Sequence, residues 1–188
     1  MAEEKKRDAE VITLGSGDLM IKEFVAGSPI VYTDFNPKTD LLGRISGGAT
    51  LSYKPTFYEA KDDKGLVSKT KLTAEEATLK SGVITWNGNT LKKLVSTAEV
   101  VEDKKTGIRT VKLGGINRYD GKSYALCFHY EDEEGDTWTI IRGVNQSGIE
   151  IAYAKDKETV IDAEFKCLPM DDQGTLIMYV EEITKNAV

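Results

Sequence analysis

The chain has 188 residues, 40% of them hydrophobic, which suffices for one buried core of ordinary size without disulfides or metals. Acidic residues outnumber basic ones by 31 to 25, and the formal net charge of −6 argues against a surface that grips nucleic-acid phosphates. The charged N-terminus lacks the apolar run of a signal peptide, and no stretch is long enough to span a membrane. We therefore expect a protein without a membrane anchor that folds in a reducing cytoplasm.

The first forty-four residues predict little regular structure. Residues 1–10 are almost all charged and predict a mobile N-terminal arm, after which residues 11–188 form a single domain. Residues 11–14 and 19–24 flank a Gly-Ser-Gly-Asp turn and predict a hairpin. Residues 25–44 show no sustained period and carry several apolar side chains, so they predict a long loop that needs a partner surface.

A second hairpin is predicted downstream. Residues 49–58 alternate between apolar and polar side chains and predict a strand, in which Pro55 favours a sheet edge or a bulge. The polar turn at residues 62–65, Asp-Asp-Lys-Gly, leads to a second predicted strand at 66–72.

Residues 73–82 carry the pattern of a short helix. Thr73 and Glu76 form a capping box, residues 74–80 favour a helix, and Gly82 ends it. The sequence therefore predicts one short α-helix at this position.

The remainder predicts strands and tight turns. Residues 83–86 regain β character, and Asn87-Gly88 marks another tight turn before residues 91–94. Further strands are predicted at residues 97–102, 108–113, 123–130, 137–142, 149–154, 159–168 and 175–182. The fold class is therefore mainly β, a β-sandwich or half-barrel with one flanking helix and long loops.

Chemical motifs are weak throughout. His129 is the only histidine, and although Cys127 lies on the same strand face, no third group orients such a pair. Cys127 and Cys167 belong to no CxxC pair and are expected to be buried, and the acidic runs fit solvated turns better than a calcium loop. We expect no enzyme, no cofactor and no metal.

The C-terminal third carries a family resemblance. The segments IEIAYA (149–154), KDKETVIDAEFKCLP (155–169) and DDQGTLIMYVEE (171–182) resemble, in their order, the major tail-tube protein of long-tailed, siphovirus-type bacteriophages. Upstream, SGGATLSY (46–53) and LTAEEATLKSGVITWNGNTLKKL (72–94) are similar to that family's early strand and its helix with a Trp-bearing segment.

The resemblance implies a β-sandwich or half-barrel of the tail-tube type, whose subunits form hexameric rings stacked into a tube. Genomic DNA would pass through that tube without specific binding. The implied partners are further copies of the chain and the tape-measure, tail-tip and tail-terminator proteins. The implied location is the tail of the virion, after assembly in the host cytoplasm.

Two sets of site residues follow from combining this resemblance with the sequence pattern. Subunit contacts are expected from the long loop and the charged hairpin turn, at Ile30, Tyr32, Phe35, Leu41, Leu42, Asp62, Asp63 and Lys64. Strand alternation makes Glu150, Asp162 and Glu164 candidates for acidic side chains that face the lumen.

Other classes of protein fit parts of the same pattern. A monomeric β-sandwich binding module, for virion decoration or carbohydrate recognition, would show a compact pocket and a stable monomer. The inner tube of a contractile tail or of a phage-like bacteriocin would share the assembly. A small hydrolase would lose its activity on mutation of Cys127 or His129.

Overall fold

A computed structural model describes residues 7, 10, 12–13, 15–153, 155–156 and 158–183. The protein is mainly β, as predicted, with a large antiparallel sheet and one short helix.

The predicted mobile arm, residues 1–10, lies outside the described residues except for Arg7 and Glu10. The buried Arg7 guanidinium forms an ion pair with Asp132 at 2.9 Å and donates from Nε to the Gly135 carbonyl at 2.8 Å.

The described residues contain ten strands, one α-helix and two 3₁₀ turns. The strands are β1 (Asp18–Glu23), β2 (Leu41–Gly43), β3 (Ile45–Lys61), β4 (Ser68–Val83), β5 (Glu99–Asp103), β6 (Ile108–Lys112), β7 (Tyr124–Tyr130), β8 (Thr137–Asn145), β9 (Ile161–Leu168) and β10 (Ile177–Glu181). The helix α1 is Gly88–Leu94, and the 3₁₀ turns are Tyr32–Asp34 and Ile116–Arg118.

The main sheet curls round on itself. Its strand order is β2-β1-β7-β8-β9-β4-β3, and only Arg44 separates β2 from β3 along the chain, so the two ends of the order are joined. The Arg44 carbonyl accepts from Ile84 N at 2.8 Å, which closes this junction against the end of β4. β8 changes partners along its length, since Thr137–Ile141 pair with β10 and Arg142–Asn145 pair with β9.

The core fills the inside of this curled sheet. Strand alternation directs one set of apolar side chains inward. The buried members are Leu19, Ile21, Leu42, Ala77, Leu79, Val83, Leu126, Ile141, Ile161, Ala163, Phe165 and Cys167. Leu91 and Leu94 of α1 join the same cluster, so the helix packs against the core, while the small sheet of β5 and β6 contributes Val111 at its margin.

A second apolar cluster covers the outer face of the same strands. Met20, Ala125, Cys127 and Ile140 alternate with the inward residues of β1, β7 and β8, and the Phe35 side chain packs on them. The stretch 25–44, predicted as a long loop, therefore contains a 3₁₀ turn and β2 and contributes to this layer. Its apolar content is partly explained by packing within the subunit.

The predicted helix at residues 74–80 is wrong, because this segment lies in β4. Ala77, Leu79 and Val83 are buried at alternate positions, and β4 pairs with β3 on one side and β9 on the other. These tertiary contacts outweigh the helix propensity of the segment.

The single α-helix instead begins after Asn87, where the sequence predicted a tight turn. The Asn87 side chain accepts from Asn89 N at 2.8 Å and from Thr90 N at 3.3 Å, which satisfies two free donors of the first turn. The helix places Leu91 and Leu94 three residues apart on one buried face. No helix in the described part of the chain is long and apolar enough to cross a membrane.

Three further strand predictions differ from the structure. Of the predicted β segment 83–86, only Val83 lies in a strand, at the end of β4. Ile12 and Thr13 lie outside any strand, and β1 pairs with β2 and β7 instead of with the residues before it. Residues 149–153 also lack strand pairing.

Candidate assembly interface

β3 and β4 continue beyond the body of the protein as a two-stranded ribbon, here called the hairpin arm (residues 53–76). β4 pairs with β9 only from Thr78 to Val83, whereas its pairing with β3 continues as far as Lys61 and Ser68. Every residue from Tyr53 to Glu76 is exposed. At about 3.3 Å per strand residue, the hairpin arm projects roughly 30 Å from its last support.

The two faces of the hairpin arm differ in polarity. In the register of the ribbon, Leu51 lies opposite the buried Leu79 and Phe57 lies opposite Leu72, with a bulge between Thr56 and Phe57. Because side chains alternate along a strand, the face that is core-facing in the body continues along the hairpin arm. This face, here called the apolar face, carries Leu51, Tyr53, Pro55, Phe57 and Leu72 in its inner half, with Glu75 opposite Pro55, and becomes polar toward the tip, where Glu59, Lys61, Ser68 and Thr70 lie on it.

The opposite face of the hairpin arm is polar. It consists of Lys54, Thr56, Tyr58, Ala60, Lys69, Lys71, Ala74 and Glu76. Phe57 on the apolar face is 59% exposed, so the side of the ribbon that matches the core is open to solvent. An amphipathic ribbon of this kind buries its apolar face only when another surface lies against it.

The tip of the hairpin arm is a tight turn that combines charged and apolar side chains. The Asp62 carboxylate accepts from Val67 N at 2.7 Å, and this backbone donor holds the pKa of Asp62 below its usual value. Gly65 adopts a φ of +69°, which favours glycine. Leu66 and Val67 follow it and are 80% and 69% exposed, at the point farthest from the core.

A cleft opens at the opposite end of the hairpin arm and is here called the root cleft. It has a volume of about 330 Å³, and Leu51 and Leu79 form one wall. Phe128, Tyr130 and Tyr179 of β7 and β10 also line it, together with Ala49, three threonines and three glycines. No residue with a charged side chain lines it among those the structure describes. The inner half of the apolar face therefore leads through Leu51 into this uncharged cleft.

The expected subunit contacts of the long loop lie in different surroundings. Phe35 and Leu42 are buried within the subunit itself, and Ile30 and Leu41 are half-buried. Tyr32 is exposed and packs on Trp138, with ring centroids 4.6 Å apart. The expected contacts at the tip, Asp62, Asp63 and Lys64, are exposed. The assignment of all eight residues to a subunit contact stays a prediction.

The three acidic lumen candidates lie together. Glu150, Asp162 and Glu164 line one groove of about 720 Å³ beside Gly82. Lys80 also lines it and forms an ion pair with Glu164, with Nζ and Oε2 2.7 Å apart. The position of this groove relative to a lumen stays a prediction.

The apolar face of the hairpin arm was not predicted as a surface. Its signal was present, because Leu51, Tyr53, Pro55 and Phe57 recur every second residue. The partner strand β4 was predicted as two elements, a strand at residues 66–72 and a helix at 74–80, so its side chains were not assigned to the same face. Leu72 was therefore predicted to end a strand, although it lies in the middle of β4.

His129 of β7 lies in a small cluster with Asp136 and Trp138. His129 Nε2 lies 3.2 Å from an Asp136 carboxylate oxygen, and the imidazole stacks on Trp138 with ring centroids 5.0 Å apart. Cys127 is fully buried beneath, and burial raises the pKa of its thiol to about 12. Within the described residues, no group of three or more His, Cys, Asp or Glu side chains is arranged to hold a metal ion.

Both thiols are expected to resist labelling in the folded protein. Cys167 is also buried, and burial raises the pKa of its thiol to about 11, so at pH 8 both residues carry protonated, shielded sulfur. Absorbance after adding a chromogenic disulfide reagent should show no fast reaction in buffer and two equivalents in denaturant. Fast labelling of the folded protein would contradict this burial.

The comparisons with known proteins are sparse. No family model matches the sequence, and no curated protein matches it. Among solved structures, the chain is similar to one described as the virion of a native gene transfer agent particle, with 9% identity and a TM-score of 0.44. The match covers 87% of this chain and 95% of that chain. A likeness this distant carries no functional argument. The proposed function is therefore argued from the surfaces of the chain itself.

Proposed function

We propose that this protein is a structural subunit that assembles with copies of itself into stacked rings, forming the tail tube of a phage-type particle. The rings would be hexameric and the tube would conduct genomic DNA, as the family resemblance of the C-terminal third implies. The function would be mechanical and would not require a catalytic group.

The observation that carries this proposal is the amphipathic hairpin arm. The paired ribbon exposes Phe57 and Leu72 about 15–20 Å beyond the last pair that β9 supports, and exposed apolar surface of this kind favours association. A neighbouring subunit would bury that face. β10 offers a further contact, since among the described strands it pairs only with β8 and its other edge is free for strand pairing.

The charge of the chain supports a conduit. The net charge is −6, and the groove with Glu150, Asp162 and Glu164 carries more carboxylates than ammonium groups. A lumen lined by excess carboxylates would repel the phosphates of DNA. The DNA would then pass without the lysine and arginine contacts to phosphate that hold nucleic acid on a protein surface.

Sedimentation velocity and negative-stain electron microscopy of the purified chain over a concentration series test the proposal. We expect rings or hollow tubes with a lumen wide enough for a DNA duplex. The matched control replaces residues 54–76 by Asn-Gly, which joins the opposed residues Tyr53 and Ala77 through a tight turn and should stay monomeric.

A wild-type chain that stays monomeric at every concentration would contradict self-assembly. Such a result would favour a monomeric binding module with the hairpin arm as its contact surface.

A further inference from the structure

A cleft beside α1 gathers positive charge and is here called the lysine cleft. It has a volume of about 680 Å³ and is lined by Lys92 and Lys93 of α1 and by Lys122. Among the described residues that line it, only Glu23 is acidic, and its carboxylate pairs with Lys122 at 2.6 Å. The chain as a whole has a net charge of −6, so this excess of lysines runs against the overall balance.

The two lysines of α1 lack a paired carboxylate within the subunit. Lys92 and Lys93 form no ion pair with any residue that the structure describes. Burial lowers the pKa of Lys93, and the Asp40 carboxylate, which opposes this shift, is already paired with Lys22 at 3.2 Å. A partly desolvated ammonium group of this kind is stabilised when a further anion enters the cleft.

The turn between β7 and β8 carries the opposite charge. It reads Glu-Asp-Glu-Glu at residues 131–134 and is here called the acidic turn. Its backbone is held in place, because Asp132 pairs with the buried Arg7 and the Asp132 carbonyl accepts from Gly135 N at 3.2 Å. The other three carboxylates of the turn are exposed and form no ion pair with a described residue. The subunit therefore presents unpaired carboxylates on a fixed turn.

The lysine cleft and the acidic turn lie at opposite ends of the same two strands. Lys122 lies two residues before β7, and Asn145, the last residue of β8, donates from Nδ2 to the Leu94 carbonyl of α1 at 3.0 Å. The acidic turn joins the other ends of β7 and β8. These strands are 7 and 9 residues long, so about 20–25 Å separate the two features. They cannot meet within one subunit.

We propose that the acidic turn of one copy of the chain docks in the lysine cleft of the next copy. This inference rests on the proposed self-assembly and names an electrostatic contact within it. The two surfaces differ, so the contact is head-to-tail and leaves a free turn and a free cleft after each addition. Opposite charges on facing surfaces also fix the orientation in which the copies meet.

The direction of the hairpin arm favours a second copy as the occupant of the lysine cleft. β9 lies between β4 and β8 and is antiparallel to both, so β4 and β8 run in the same direction. The hairpin arm therefore leaves the sheet toward the end that carries the acidic turn. A copy whose lysine cleft receives the acidic turn also lies on the side toward which the hairpin arm projects.

Charge exchange between two variants of the full chain tests this contact. The Lys92→Glu, Lys93→Glu chain should associate more weakly than the wild type by on the order of tenfold or more in sedimentation velocity, because like charges then face each other. The Glu133→Lys, Glu134→Lys chain should show a similar loss. An equimolar mixture of the two should recover association, since each variant then meets a partner of opposite charge. That recovery would also show that both variants fold.

The matched control is Lys104→Glu, Lys105→Glu, which makes the same change in net charge at the exposed turn between β5 and β6 and should associate like the wild type. An equal loss in this control, or no loss in the α1 variant, would overturn the contact and leave self-assembly intact. A loss that the mixture does not recover would overturn the acidic turn as the occupant. A wild-type chain that is monomeric at every concentration would overturn both the contact and the proposed function.

Discussion

Changing Phe57 and Leu72 together to serine should abolish assembly and leave the subunit folded. The two residues lie directly opposite each other on the apolar face of the hairpin arm and both are exposed in the monomer. Their loss removes about 1.5–3 kcal/mol of burial per side chain at each subunit contact, which corresponds to at least a hundredfold weaker association for the pair. Light scattering and sedimentation velocity measure the association.

The control for this variant is the next pair along the same ribbon. Tyr58 lies opposite Lys71 on the polar face, and a Tyr58→Ser, Lys71→Ser chain has the same number of changes at the same distance from the core. This control should assemble close to the wild-type concentration. Equal loss of assembly in both variants would show that the ribbon acts through its backbone edges and not through its apolar face.

The hairpin arm shows which parts of the fold the sequence could predict. Its turn at residues 62–65 and the edge position of Pro55 were predicted correctly, because turn residues and proline act locally. The second strand was divided, because Thr73, Glu76 and the following residues satisfy a helix cap in isolation. Pairing with β3 and β9 decides the outcome, and that pairing depends on residues up to about ninety positions away.

The same distinction holds for the candidate site, where local sequence predicts turn residues but not surfaces formed by strands that are distant in the chain. Local chemistry predicted an exposed turn at Asp62, Asp63 and Lys64, and these residues are exposed, while their role in a subunit contact stays a prediction. Phe35 and Leu42 were predicted on an assembly surface because their loop lacks a period, although strands β1, β7 and β8 cover much of that loop. The root cleft had no sequence signal, since its walls come from β3, β4, β7 and β10.

The second large effect is expected in the core, where Phe165→Ala should lower the free energy of unfolding by about 3–5 kcal/mol. Phe165 is fully buried and lies opposite Leu79 of β4 on one side and Asn145 of β8 on the other. It sits where β9 pairs with both neighbours, so its removal leaves a cavity that neither strand can fill without breaking its register. Urea unfolding measures the loss.

The measurement needs a chain that does not associate, because assembly would stabilise the folded state by mass action. The Phe57→Ser, Leu72→Ser background supplies it, and Lys166→Ala, the exposed neighbour of Phe165 on β9, is the matched control with an expected effect within about 0.5 kcal/mol. A Phe165→Ala loss below about 1 kcal/mol would contradict a core centred on β9, since cavity formation at a rigid site costs more. A loss of the full size would show that the packing around Phe165, in the body of the protein, carries a large share of its stability, whereas the exposed hairpin arm buries none of this core.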